Sequence, residues 1–467
     1  MTARFEGPAV LPRQLRNGSP EALETSRWPL TPRVGPIARA RENHDEKTTI
    51  GRERLRDIPV RFGYAAAALT EHEPSHLVPG FRFAGIDAGI KKRGGPDLAL
   101  IACDGDAVAA GVFTQNIVRA APVEIAHERV AAGVARAVLV NSGNANACTG
   151  DPGTRATLES SAAVAEALGV APDRVLPCST GVIGQVLPAE RIVSRSAALV
   201  AALTPEADGF ASAILTTDRF PKIVQCPVET SAGAATLLGI AKGAGMIHPD
   251  LDTGLPQATM LAYLLTDAKV DVGDLQAALL AASQLTFNAC SVDGDTSTND
   301  TVLALASGVH PGTASRESLE RAMREVCGEL ARLMVRDGEG ADHSVAITVS
   351  GLGSAEDARR AAHTVATSLL VKTALTGKDP NWGRLLAAAG RSGVRFDPKL
   401  ASIHVGDVLI CEHGMGLGGE AEARATEIMK TENYGITLCL GKGAHAFTYT
   451  TCDLGHGYVD VNAGYRT

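Results

Sequence analysis

The apolar positions of this chain come in short runs separated by small and polar residues, and the runs read as strands and helices interleaved. Asp97–Ala102, Ala110–Thr114, Ala137–Val140, Arg174–Cys178 and Ile223–Pro227 are too short for helices and predict strands. Thr154–Leu168, Pro188–Leu203, Asp274–Phe287 and Ala361–Leu370 predict helices. Leu319, Met323, Val326, Leu330 and Leu333 step at 4, 3, 4 and 3, the spacing of one face of an amphipathic helix. Val345, Ile347 and Val349 alternate as a strand. Ile436, Leu438 and Leu440 alternate likewise, as do Phe447 and Tyr449, and Gly441-Lys-Gly443 between them predicts a hairpin. No repeat of about 20–50 residues is visible. The pattern implies a mixed α/β fold and argues against one all-parallel sheet.

One stretch organises the rest. Gly239–Asp250 is so rich in glycine that it predicts no regular element, and the dense apolar run Ala258–Asp267 follows. Thr259 stands where the buried run begins. It reads either as an ordinary helix N-cap or as a nucleophile. A threonine hydroxyl attacks only with a base beside it. Cutting the Ala258–Thr259 bond would supply one, an α-amine with a pKa of roughly 8.

Composition narrows the classes. At 467 residues the chain is long enough for two domains. A net charge of −8 argues against a nucleic-acid surface, and no apolar run approaches the roughly 20 residues of a membrane span. Nine cysteines without a C-x-x-C pair fit a reducing compartment, not a disulfide framework or zinc site. Residues 1–78 carry many arginines, scattered prolines and no apolar period, so a poorly ordered extension is expected there. Their acidic residues, Glu21, Glu24 and Glu42 among them, do not suit a transit peptide, and a cytoplasmic protein is expected.

Several loops could carry chemistry. Asn141–Gly150 follows a strand with small polar residues that let backbone approach a ligand. Thr180 and Gly181 follow another strand, where a hydroxyl and a backbone N–H can face one oxyanion; a helix cap is the plainer reading. Lys242, among glycines, could reach a carboxylate. Asp293–Asp300 resembles a calcium loop, but Thr298 stands where glycine is needed and Ala304 where the bidentate Glu belongs. Gly377–Arg384 lacks the earlier glycine and the Ser or Thr of a phosphate loop. Gly414-Met-Gly-Leu-Gly-Gly419 fits a dinucleotide fingerprint only if a βαβ unit surrounds it.

Taken in order, Ala88–Lys92, Gly111–Thr114, Asn141–Gly150, Cys178–Gly184, Thr216-Thr-Asp218, Ala241–Met246, Ala258–Leu261, Asp293–Thr301, Asp337–Gly340, Asp379–Arg384 and Asn462 with Tyr465–Thr467 resemble the ornithine acetyltransferase family, the bifunctional glutamate N-acetyltransferases of arginine biosynthesis. The resemblance runs from about Phe81 to Thr467. It implies a two-lobed layered sandwich of α/β (α+β) type, with helices outside packed β-sheets. It also implies a chain that cuts itself before Thr259, giving an α-chain region 79–258 and a β-chain region 259–467. The two would stay associated as an α2β2 assembly. Thr259 would take acetyl from N2-acetyl-L-ornithine and pass it to L-glutamate. Thr180 and Gly181 match the oxyanion pair. Thr216, Lys242, Thr259, Glu339, Asn462 and Thr467 match substrate contacts, Lys242 toward the α-carboxylate and Glu339 toward the distal ammonium. No cofactor, metal, membrane or nucleic acid is implied; whether acetyl-CoA also donates acetyl is left open. The chain departs from the family in Asp250–Gln257, eight residues between Pro249 and the Ala258-Thr259 pair where about two are usual, and in Asp342-His343 at a place often held by lysine. The alternatives are an amidase or aminopeptidase with the same nucleophile, and an unprocessed, non-catalytic paralogue.

Overall fold

The computed structural model describes residues 76–249, 251 and 260–464. Residues 1–75 of the expected extension, Asp250 and Asp252–Gln257 of the insertion, Ala258, Thr259 and Thr467 lie outside the described residues, whereas Val78, expected in the extension, is buried in the core. In chain order the strands are β1 (Phe81–Ile86), β2 (Leu98–Phe113), β3 (Val134–Asn144), β4 (Val175–Val182), β5 (Lys222–Thr230), β6 (Gly233–Lys242) and β7 (Leu261–Thr266). There follow β8 (Cys290–Ser291), β9 (Thr301–Ala306), β10 (Ser344–Leu352), β11 (Ser402–Val405), β12 (Val408–Glu412), β13 (Met415–Gly416), β14 (Asn433–Cys439) and β15 (His445–Cys452). They form two mixed sheets. The first runs β4-β3-β2-β9-β7-β6-β5, with β1 added on β2; the second runs β13-β12-β11-β14-β10-β15-β8. The expected α/β architecture of two sheets clad by helices is present.

The first sheet is buried on both faces, which is why its strands read as unbroken apolar runs. Ala262 and Leu264 of β7 point to one face, Leu261, Tyr263 and Leu265 to the other. Helices Val272–Leu285 and Arg316–Arg336 cover the first face at the β5 end. Helices Gly150–Leu168 and Ala189–Ala201 cover the β4 end. In the second sheet one face, with Val345, Ile347, Val349, Ile436 and Leu438, packs under helix Ala355–Ala366. The opposite face carries Thr348, Thr437 and Thr448, so its strands alternate.

Several expectations are corrected. Gly239–Lys242 belongs to β6, because Gly239 lets Val326 pack flat on the strand; a Cβ there would lie 2.2 Å from Val326 Cγ1. The apolar run after Thr259 is a strand, so no helix follows it to be capped. β2 is one strand of 16 residues where two were expected, its pairing with β3 shifting register between Ala102 and Ala107. β14 and β15 do not form a hairpin: β10 lies between them, parallel to β14 and antiparallel to β15. Alternation identifies a half-buried strand but says nothing of its partner. The helix over 316–336 is present, yet its buried stripe passes from Leu330 to Met334, not Leu333, as a 3.6-residue turn drifts off a seven-residue step. The tail His456–Gly464 is helical. Met415–Gly416 is a short strand whose Gly416 lies against the Trp382 indole, a Cβ there meeting Nε1 at 2.5 Å. That indole occupies the close approach a pyrophosphate would need.

Leu330 is fully buried between the long helix and β6. Leu330→Ala is expected to destabilise the fold by about 2–5 kcal/mol, read as a lower urea midpoint; an unchanged midpoint would contradict this packing.

Candidate active site

The ends of β4, β6, β7 and β9 meet at one place. Ser179, Thr180 and Gly181 lie inside β4, not in a helix cap, with Gly181 beside Gly143 of the parallel β3. A Cβ on Gly181 would lie 2.4 Å from the Gly143 carbonyl carbon, and its φ of 132° suits glycine alone. Lys242 ends β6 as a buried residue, opposite Leu261 of β7. Its ammonium donates to Thr180 Oγ1 at 3.2 Å. The sequence reading put Lys242 in an open loop; a strand holds it instead.

A buried ion network sits behind this pair. The Lys222 ammonium donates to Asp218 Oδ1 at 2.8 Å and Asp337 Oδ2 at 2.6 Å, with all three side chains out of solvent. Asp218 Oδ1 also accepts from Gly243 N at 2.6 Å, and Oδ2 accepts from Thr216 N at 2.9 Å and lies 4.0 Å from Lys242 Nζ. One carboxylate therefore fixes Thr216, Lys242 and the turn after β6. Burial alone would raise the Asp218 carboxyl, but the Lys242 and Lys222 ammoniums outweigh it and hold it well below the usual range. Burial pulls the Lys242 ammonium down, and Asp218 opposes the shift.

Glu339 joins from the far side. Its N–H donates to Ala244 O at 2.9 Å, and the Asn462 amide donates to Glu339 Oε2 at 2.8 Å. Gly245 leaves room for the carboxyl: a Cβ there would fall 2.3 Å from Glu339 Cδ. Thus Thr180, Gly181, Thr216 and Lys242 form one group, and Glu339 with Asn462 forms a second, connected to it through the turn Gly243–Gly245.

Three residues went unassigned in the sequence. Asn299 donates to Ala145 O at 2.7 Å and Ser179 O at 2.9 Å, tying the loop before β9 to the ends of β3 and β4. Asp300 accepts from the N–H of Met260, the residue that follows Thr259. Asp293 accepts from Met246 N at 2.6 Å, and burial pushes its carboxyl up to about 6. All three fall in the stretch that resembled a calcium loop, and that signal could have marked them. The segment after β6 is also held: His248 Nδ1 lies 3.0 Å from Ser291 Oγ, and its Nε2 lies 3.3 Å from His363 Nε2.

The model of the ArgJ family matches residues 82–467. The chain belongs to the ArgJ family. A Geobacter sulfurreducens relative named arginine biosynthesis bifunctional protein ArgJ is 47% identical over 398 residues, covering 84% of this chain and all of that one. A Chlorobaculum tepidum relative of the same name is 46% identical over 396 residues, covering 83% and 96%. Among solved structures, a Bacillus halodurans bifunctional ArgJ is 37% identical with a TM-score of 0.42, covering 44% of this chain and all of that one. An ornithine acetyltransferase complexed with ornithine from Mycobacterium tuberculosis is 40% identical with a TM-score of 0.34, covering 37% and 93%.

In this ArgJ-family chain, Asp218→Asn is expected to cost about 3–5 kcal/mol, since it leaves buried ammoniums under-compensated. A carboxyl held low in the folded state stabilises above its unfolded pKa of about 4 and loses that contribution as pH falls below it. Urea unfolding of the wild type should therefore weaken more steeply below about pH 4 than that of the variant. Parallel curves would contradict the ionised network.

Proposed function

We propose that this chain is an acetyltransferase of arginine biosynthesis that moves acetyl from N2-acetyl-L-ornithine to L-glutamate through an ester on Thr259, freed by cleavage after Ala258. The observation that carries the reading is the contact between Lys242 and Thr180, made at strand ends beside Met260, in a chain that matches its family from residue 82 to its end.

The chemistry follows from the donors. Because Lys242 donates into Thr180 Oγ1, the Thr180 hydroxyl hydrogen is left to point elsewhere. It and the Gly181 N–H form the oxyanion pair for the tetrahedral intermediate, a role worth about 3–4 kcal/mol where such donors have been removed. The Thr259 α-amine takes the hydroxyl proton as the acetyl carbonyl is attacked, and returns it to the departing ornithine amine. Glutamate then enters, and its amine takes the acetyl from the ester. Lys242 keeps two further N–H donors for a substrate α-carboxylate, beside Thr216. Glu339, held by Asn462, receives the distal ammonium of ornithine, and Thr467 completes the substrate contacts. These steps use side chains and backbone alone, with no cofactor.

Cleavage need not separate the pieces. The cut falls between β6 and β7, which pair over six positions from Leu237 with Thr266 to Lys242 with Leu261. Both fragments thus share one sheet, and an α2β2 assembly of two cleaved chains is in keeping with this.

The test is a two-substrate assay on wild type, Thr259→Ala and Glu339→Gln. Wild type is expected to form N-acetylglutamate, Thr259→Ala to form none and remain uncut by intact mass. Glu339→Gln is expected to raise KM for N-acetylornithine at least tenfold. Acetate without N-acetylglutamate would show a hydrolase instead.

A further inference from the structure

The turn that follows β6 holds Met246 at a φ of 53°, left-handed backbone that residues other than glycine seldom adopt. Three hydrogen bonds lace this turn to the loop after β8. The Met246 N–H donates to Asp293 Oδ2 at 2.6 Å, the Val292 N–H to Ile247 O at 2.7 Å, and the Thr296 hydroxyl to His248 O at 3.3 Å. Asp293 supplies the one ionisable acceptor of the three. We propose that Asp293 is a positioning residue for substrate recognition: its carboxylate clasps Met246 in the left-handed turn against which Glu339 rests, and this clasp governs how well the distal ammonium is held. The proposal rests on the reading of Glu339 as the partner of that ammonium.

The two carboxyls act on neighbouring residues of one turn. Glu339 lies over Gly245, where a Cβ would come 2.3 Å from its Cδ, and its N–H donates to Ala244 O at 2.9 Å. Asp293 holds the next residue. A change of backbone at Met246 therefore moves the surface on which the Glu339 carboxyl packs. The loop that carries Asp293 is itself fixed, since Asp293 Oδ1 accepts from Asp295 N at 3.2 Å and Ser291 Oγ accepts from Gly294 N at 3.2 Å.

The clasp responds to protons. An ionised carboxyl accepts on both oxygens, whereas protonation turns one of them into a donor. The groups that face Asp293 are acids: Asp295 on its own loop, Glu339 beyond the long helix, Tyr458 of helix His456–Gly464, whose hydroxyl bonds to it, and Cys452 of β15. Burial, aided by the Asp295 and Glu339 charges and opposed by the two N–H donors, pushes the carboxyl up to about 6. His248, two residues beyond Met246, does not compete in this range. Burial, then the His363 and Arg359 charges, holds its imidazole down at about 3.

The experiment measures KM for N-acetylornithine on full-length protein at saturating glutamate, from pH 5 to pH 8. About a tenth of the clasp stays ionised one unit below its pKa, so the wild-type KM is expected to rise about tenfold between pH 7.5 and pH 5. Asp293→Asn, with a single acceptor oxygen, should raise KM about threefold or more already at pH 7.5 and show a flat profile. Adding Met246→Gly to it should bring KM back toward wild type, because glycine takes the left-handed turn unaided. Glu339→Gln should raise KM and lose the acid rise, since the clasp acts through Glu339. The wild-type profile stands whether or not a variant folds. A flat wild-type profile, an acid rise retained in Asp293→Asn, or no rescue by Met246→Gly would overturn the clasp. A raised KM in Glu339→Gln beside an unchanged KM in Asp293→Asn would sink the clasp and spare the reading of Glu339; an unchanged KM in Glu339→Gln would sink both.

Discussion

The structure of this site depends on one buried cation. Lys222, with no exposed surface, lies between Asp218 and Asp337 and draws together the polar insert before β5 and the end of the long helix Arg316–Arg336. Removing charges from water is expensive, so such a group persists only when its partners are fixed at hydrogen-bond distance. Here they are, and Asp218 carries that order outward to Gly243 N, Thr216 N and the Lys242 ammonium. The functional side chains inherit their positions from a network that does not itself touch the reacting atoms.

The first sheet supplies the frame. Its strands are covered on both faces, so their ends are set by packing and cannot slide without exposing a row of apolar residues. Gly181 and Gly239 allow two close approaches, one of β4 to β3 and one of β6 to the helix above it. Asn299 then ties the loop before β9 to the ends of β3 and β4. Rigid strand ends with short polar bridges hold a catalytic group more precisely than free loops do.

Much of this was legible in the sequence, and the failures have physical causes. The apolar period from Leu319 to Leu330 gave the helix that spans Arg316–Arg336, because a helix is satisfied within itself. The hairpin between β14 and β15 failed because strand partners are set by distant residues, here β10. Glycines at 239 and 243 suggested a loop, whereas Gly239 is a strand residue kept small by Val326 and Leu330. Thr180, Gly181, Thr216 and Lys242 were found as motifs, and the fold brings them together. Asp218 was in view only as part of a polar string. Its role depends on Lys222 and Asp337, the latter 119 positions later, a pairing that no local pattern contains. Asn299 and Asp300 were passed over once calcium was excluded, although the same polar residues form the bridges of the site.

The central claim is that Thr259, at the head of a freed fragment, carries the acetyl group. It is tested most directly by incubating the purified protein with N-acetylornithine alone and mapping acetyl by peptide mass. The account predicts a fragment beginning at Thr259 that bears one acetyl ester, lost when glutamate is added as N-acetylglutamate forms. An uncut chain, or acetyl found on any other residue, would contradict it.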